Sequence, residues 1–276
     1  VINSNASSSA SLNSMLNNII SSSAIENETL DLSSVRSSLA KRLNAGHYSH
    51  RETAQTDGLV SLLIDATSNY DEPLSYNRLM NWHSCIFPPG VATHIPVGVL
   101  RGDLPMQVVS GRIDKPTVHY EAPPRDILEN EVMEFLVWLN GSKNDGEINP
   151  AVRAGLSHFI FVTIHPFEDG NGRLSRTIAD YCLAQSDDLS VRFYSMSAAI
   201  MDNRKDYYSE LNAAQKSKSG DVTNWLSWFS VMLCESLQGA IRAIDNVILK
   251  TQFWAVHSED GITTEQAKAL NRLLDA

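Results

Sequence analysis

His158–Arg176 reads HFIFVTIHPFEDGNGRLSR, and the organisation of the whole chain turns on this stretch. His158 to Ile164 is an apolar run that predicts a buried helix delivering His165 to its end. Pro166 disfavours helical geometry in the residue before it, so His165 must leave the helix. Phe167 is an apolar plug that pins the next loop to a core. Gly170 and Gly172 let backbone N–H groups turn inward as an anion nest. A new helix starts here, and its N-terminus adds positive potential suited to phosphate. Arg173 and Arg176, three apart, share one face of that helix and can fork onto further phosphate oxygens. Asp169 is a hard oxygen ligand suited to Mg2+ bridging phosphates. Beside them, His165 can take a proton near neutral pH. A base, a metal ligand, a phosphate cradle and two arginines in so short a span are the machinery of phosphoryl or nucleotidyl transfer. No Gly-x-x-x-x-Gly-Lys occurs, which excludes a P-loop, and a helix precedes the glycines where a dinucleotide fold would place a strand. The competing interpretation is a glycine-rich helix connection whose arginines merely form a solvated face.

Outward from this stretch the chain reads as mostly helical. Towards the N-terminus, Leu12, Met15, Leu16, Ile19 and Ile20 recur at three- and four-residue steps, predicting a helix from Ser11 to about Glu26–Asn27 with Asn27 as its stop. Further helices are expected at Leu32–Leu43, opened by Ser33 and Ser34, at Gly58–Ala66 and at Leu74–Phe87. Met106–Val109 and Thr117–Tyr120 are short β-branched runs flanking Ser110-Gly111, and together they predict a hairpin. Helices resume at Asp126–Leu139, Ala151–Ile164, Asn171–Ala184, Tyr207–Lys216 and Thr223–Leu249, and a cut-off helical module opens at Gly261. His158 is expected to be a core histidine, Trp225 and Trp228 to be packing residues, and the other histidines show no ligand spacing.

Composition bounds the function. The chain has 276 residues, 43% hydrophobic, with 22 Lys plus Arg against 32 Asp plus Glu and a formal net charge of -10. Such a chain folds around a large core, and its acidic balance argues against broad binding to nucleic acid or anionic membrane. No apolar run has the length of a membrane span. Cys85, Cys182 and Cys234 are scattered and odd in number, so the expected setting is a reducing cytoplasm. The chain begins Val1-Ile2-Asn3 without a basic-then-apolar leader and reads as a fragment boundary.

HPFEDGNGRLSR (His165–Arg176) resembles the signature of Fic-domain proteins, which transfer AMP from ATP to a hydroxyl of a target protein. The resemblance implies a mostly α fold: a Fic-type helical bundle with a β-hairpin flap and an N-terminal inhibitory helix. His165 then corresponds to the general base and Asp169 to the Mg2+ ligand. Gly170, Asn171, Gly172 and Arg173 correspond to the holders of the α- and β-phosphates, and Arg176 to the holder of the γ-phosphate. Ser22-Ser23-Ala24-Ile25-Glu26-Asn27 resembles the family's inhibitory motif, in which Ser22 and Glu26 share a helical face and the glutamate pairs with the second arginine, Arg176. The same residues also read as a capping box, Ser23-x-x-Glu26, with Glu26 exposed. Val118, His119 and Tyr120 resemble the inner flap strand that positions the target by strand addition. Tyr207, Tyr208 and Gln215 match a segment that closes over adenine and ribose in relatives, with Gln215 where many have Asn; an aromatic core stripe is the alternative.

Three segments follow: residues 1–90 as a helical region with the inhibitory motif, 91–250 as the catalytic domain with its flap, and 251–276 as a linker and the start of a winged-helix module. The implied activity is a protein adenylyltransferase using ATP as substrate with Mg2+, autoinhibited by Glu26 on Arg176. Its partner would be a protein with a Ser, Thr or Tyr hydroxyl, a copy of itself included. A homodimer is compatible with the resemblance, a membrane partner is not expected, and nucleic acid enters only through the missing C-terminal module. Alternatives are removal of AMP at the same site, transfer of another nucleotide or phosphocholine, and a regulatory DNA-binding protein with an auxiliary Fic site.

Overall fold

The computed structural model describes the chain apart from residues 1–3, 45–50, 92–93, 113–114, 188–192, 258–259 and 275–276. Four helices come first: α1 (Ser4–Ile25), α2 (Leu32–Arg42), α3 (Ala54–Ser68) and α4 (Tyr76–Ile86). A hairpin of β1 (Gln107–Arg112) and β2 (Lys115–Glu121) follows, then α5 (Arg125–Gly141), α6 (Pro150–Ile164) and α7 (Asn171–Asp187). The chain continues through α8 (Met196–Asp202), α9 (Arg204–Gln215), α10 (Thr223–Val256) and α11 (Thr264–Leu274).

Local chemistry accounts for the boundaries. Asp31 caps α2 by accepting from Ser33 N at 2.7 Å and Ser34 N at 3.1 Å, so the opening residue is Asp31 where Ser33 and Ser34 were expected. Thr53 and Thr56 form a reciprocal capping box that starts α3 at Ala54, four residues ahead of the expected Gly58. Pro150 occupies the first turn of α6, where a missing N–H costs nothing, and Asn149 caps it. The left-handed Asn27 (φ 62°) stops the chain just beyond α1, as its sequence position suggested. No helix begins at Ser23, which overturns the capping-box reading: Ser23 lies in the last turn of α1, and its carbonyl accepts from Glu26 N and Glu28 N, both at 3.0 Å. The short α8 was not foreseen, and α10 runs seven residues past Leu249 to Val256.

The centre of the bundle is the α6–α7 pair, the most extensively packed helix pair, with α3 against α7 and α10 across α6. Phe161, Phe167, Tyr181, Trp82, Trp225 and Phe229 are buried there. Trp225 Nε1 donates to Gly155 O at 2.9 Å, satisfying its polar edge inside the core. His158 is a core histidine: its Nε2 lies 3.1 Å from Ser175 Oγ and 3.2 Å from Tyr207 OH, and burial pulls its pKa down to about 3. The N-terminal helix α1 packs on α2, α8, α3, α10 and α7 and so lays its C-terminal end on the start of α7. The hairpin is antiparallel, pairing Gln107 with Glu121 and Val108 with Tyr120, with an irregularity between Val108 and Val109.

Candidate active site

His165 caps α6 in the left-handed conformation (φ 51°, ψ 58°). Pro166 drives it out of the helix as expected, but into the left-handed region and not into extended backbone. Its Nδ1 sits 3.2 Å from Val162 O. A carbonyl can only accept, so Nδ1 carries the hydrogen and Nε2 is left as the bare basic nitrogen. Burial lowers the imidazole pKa below 6.5, against the bond to Val162 that raises it, and Arg101 lowers it further. The ring is therefore neutral, and able to accept a proton, at neutral pH.

The loop that follows is braced from both sides. Phe167 is fully buried and stacks on His83, ring centroids 4.0 Å apart and 7° from parallel. His83 Nδ1 accepts from Gly98 N at 2.9 Å, so its Nε2 carries the hydrogen and donates to Asp169 O at 3.1 Å. Asn171 clamps the loop with both ends of its amide, Oδ1 accepting from Phe167 N at 3.0 Å and Nδ2 donating to Phe167 O at 2.8 Å. Its side chain is thus committed to the loop, and only its main chain remains to face an anion. Gly170 (φ 82°) makes the turn into α7 that a Cβ would strain. Asp169 Oδ1 accepts from Gly170 N at 2.6 Å, while the side chain is 62% exposed. Among the described residues no cluster of three or more His, Cys, Asp and Glu could hold a metal. One exposed carboxylate oxygen donor fits Mg2+ in the way that ion is usually bound, by one or two carboxylates with phosphate oxygens and water.

The two arginines are not on a solvated face. Arg173 and Arg176 are 3% and 2% exposed and lie beneath the end of α1. Arg176 NH2 donates to Glu26 Oε1 at 2.8 Å and to Ser22 O at 2.9 Å, and its Nε donates to Ser22 Oγ at 3.0 Å. Burial alone would lower the guanidinium pKa, but Glu26, with Tyr207 and Tyr208 beside it, outweighs burial and holds Arg176 above its usual range. A Cβ on Gly172 would collide with Glu26 Oε1, so the carboxylate lies directly on the first turn of α7. Arg173 NH1 donates to Glu28 Oε2 at 2.7 Å, its guanidinium carbon lies 4.9 Å from the Phe87 ring centroid, and its buried Nε has no acceptor. That orphaned donor at a helix N-terminus fits an incoming phosphate oxygen.

Tyr207 is buried behind Arg176, its hydroxyl against His158 and its pKa pushed well up by burial. Tyr208 OH donates to Ile25 O at 3.2 Å, tying α9 to the end of α1. Gln215 Nε2 donates to Thr163 Oγ1 at 3.3 Å, two residues before His165. Tyr120 OH donates to Thr163 O at 2.9 Å, with its pKa pushed up to about 12 by burial. The side chains of Val118 and His119 lie outside the described residues. Sequence reading missed Glu28, Arg101 and His83. For Glu28 the signal was a second acid just past the turn residue Asn27; Arg101 and His83 are isolated in sequence and left none.

Residues 73–183, from the start of α4 through most of α7, match the family model described as Fic/DOC family. The chain carries a Fic domain. Ahead of it, residues 1–45 match a model described as a domain of unknown function (DUF4172). Over 250 residues, 89% of this chain and 46% of the relative, the sequence is 23% identical to Protein adenylyltransferase fic-1 of Caenorhabditis elegans. It is 27% identical to Protein adenylyltransferase Fic of Nematostella vectensis over 246 residues, 87% of this chain and 50% of the relative. The chain thus spans about half the length of the curated relatives it matches. A solved Fic family protein from Desulfovibrio desulfuricans G20 shares the fold of this Fic domain and its flanking helices at TM-score 0.63 and 23% identity, covering 83% of this chain and 65% of that one. Among the described residues no helix is long and apolar enough to cross a membrane.

Proposed function

We propose that this chain is an ATP- and Mg2+-dependent protein adenylyltransferase whose own N-terminal turn holds it off. The observation that carries the reading is His165, fixed with Nε2 bare, beside a helix N-terminus flanked by Asp169 and two buried arginines. Nε2 takes the proton from a Ser, Thr or Tyr hydroxyl of a target protein, and the freed oxygen attacks the α-phosphorus in line. The bond from that phosphorus to the bridging oxygen breaks, and pyrophosphate leaves. The N–H groups opening α7 and the Arg173 and Arg176 guanidinium groups meet the charge that develops. Asp169 would hold Mg2+, which when bound neutralises phosphate charge. His83 and Asn171 keep the loop from moving as this happens.

Inhibition follows from shared contacts. Arg176 cannot hold Glu26 and a terminal phosphate at once, and the Glu26 carboxylate already lies on Gly172. Glu28 occupies Arg173 in the same way. The test is the intact mass of wild type, Glu26→Gly and Glu26→Gly/His165→Ala after incubation with ATP and Mg2+, with UTP in parallel. AMP units are expected on Glu26→Gly alone, on itself or on a supplied protein acceptor. Equal labelling of wild type would overturn the brake; labelling of the double variant would overturn the base; preference for UTP would overturn the nucleotide.

A further inference from the structure

Arg101 lies in the segment between α4 and the hairpin, is 2% exposed, and among the described residues has no carboxylate within ion-pair distance. A buried guanidinium without a counter-ion is expensive unless carbonyls take its hydrogens. Three do. The main-chain N–H of Arg101 donates to Pro166 O at 2.9 Å, Nε donates to His165 O at 2.9 Å, and NH2 donates to Pro123 O. The first two carbonyls are those of the left-handed His165 and of Pro166, which α6 itself cannot satisfy. The third belongs to the chain just beyond β2, where Ala122 N donates to Met106 O at 2.9 Å and closes the hairpin root. Tyr120 makes a parallel tie, its hydroxyl on Thr163 O, two residues before His165.

We infer that Arg101 is a positioning residue that sets the distance and direction between His165 and the root of the hairpin. This rests on the reading of His165 as the base that deprotonates a target hydroxyl. A target strand added to the hairpin would take its register from Lys115–Glu121, and the proton acceptor is carried by α6. Without a rigid link those two would move independently. The guanidinium is that link, since one planar fork spans both backbones. Its charge also acts in the direction of keeping the His165 ring neutral.

The experiment compares Arg101→Met and Arg101→Lys, each in a Glu26→Gly background and each shown to fold by its thermal transition. Met removes fork and charge; Lys keeps the charge but reaches one carbonyl. Transfer of AMP to a protein acceptor is expected to fall at least about tenfold in both variants, in kcat. ATP affinity should stay within about twofold, because Arg101 touches no group of the phosphate site. The His165 pKa, followed by its ring signals in NMR, should rise in Met and stay near the parent value in Lys. Independently of activity, hydrogen exchange at 122–127 and at 165–167 should quicken together in Arg101→Met. If ATP affinity falls in step with transfer, Arg101 is only part of the general scaffold and the inference fails. It also fails if exchange in the two segments is unchanged. If the Glu26→Gly parent transfers nothing to any acceptor, the transferase reading fails on its own, and Arg101 is judged by exchange and the His165 pKa.

Discussion

Arg173 and Arg176 sit one turn apart on α7, and each meets a glutamate from the end of α1, yet the two pairs are built differently. Arg176 is held by three acceptors, Glu26 Oε1, Ser22 O and Ser22 Oγ, all within the last turn of a 22-residue helix or on the residue after it. Arg173 is held by Glu28 alone from that side, and Glu28 stands beyond the left-handed Asn27. The first pair inherits the rigidity of a helix packed on five others; the second depends on one turn. The lesson is that two contacts of equal chemistry and near-equal length can differ in how easily they open.

Removing each glutamate should separate the pairs most widely. Glu26→Gly deletes a charge-assisted contact of about 1.5–3 kcal/mol and vacates the first turn of α7, so affinity for a non-hydrolysable ATP analogue should rise by roughly 10- to 100-fold. Calorimetric titration would measure it, and no change would mean that Glu26 does not compete with nucleotide. Glu28→Gln is expected to raise the same affinity by only about three- to tenfold, since a single exposed-edge carboxylate is neutralised. The double variant should fall short of the product, because both residues sit on one turn.

The turn itself can be broken between the two. Asn27→Val places a β-branched side chain at φ 62° and should cost about 1–3 kcal/mol of stability, seen as a lower Tm. Asn27→Gly should leave Tm nearly unchanged. If Asn27→Val weakens the grip on Arg173 and Arg176 equally, judged by ATP affinity against the two glutamate variants, the contrast in rigidity is wrong.

The smallest effect is on pH dependence. Burial lifts the Glu28 carboxyl above its usual 4.5, outweighing the pull of Arg173. A carboxyl with a raised folded-state pKa holds its proton more tightly when folded, so its contribution to stability falls as pH rises through the window above 4.5 and recovers as pH drops. Ionised Glu28 is therefore a small burden on the fold at neutral pH. Glu28→Gln should match or slightly exceed the wild-type Tm at pH 7, with the gap closing as pH is lowered towards about 5. A clear loss of Tm at pH 7 would mean that the pair stabilises the fold outright.

Much of this was legible before the fold was known. The helices before and after the loop, the hairpin, the turn at Asn27 and the place of His165 at the end of an apolar helix all follow from patterns a few residues long. The errors were local too: a cap two or three residues upstream of the expected serines, a helix start at Ala54, a short helix at Met196–Asp202 with too few residues to show a period. Asn171 was read as a phosphate contact from its place in the motif, and the fold spends its amide on Phe167, which leaves its main chain for that role.

The residue order alone determined the local geometry of His165–Arg176, because proline, glycine and helix-start preferences act between neighbours and need no tertiary partner. Only the folded chain decided that Glu28 meets Arg173 across 145 positions, whereas the meeting of Glu26 with Arg176 across 150 was already expected from the resemblance. The folded chain alone decided that Arg101 ties His165 to the hairpin. Such pairings depend on how buried faces of distant helices pack, and packing is a property of the whole core that no short-range period encodes.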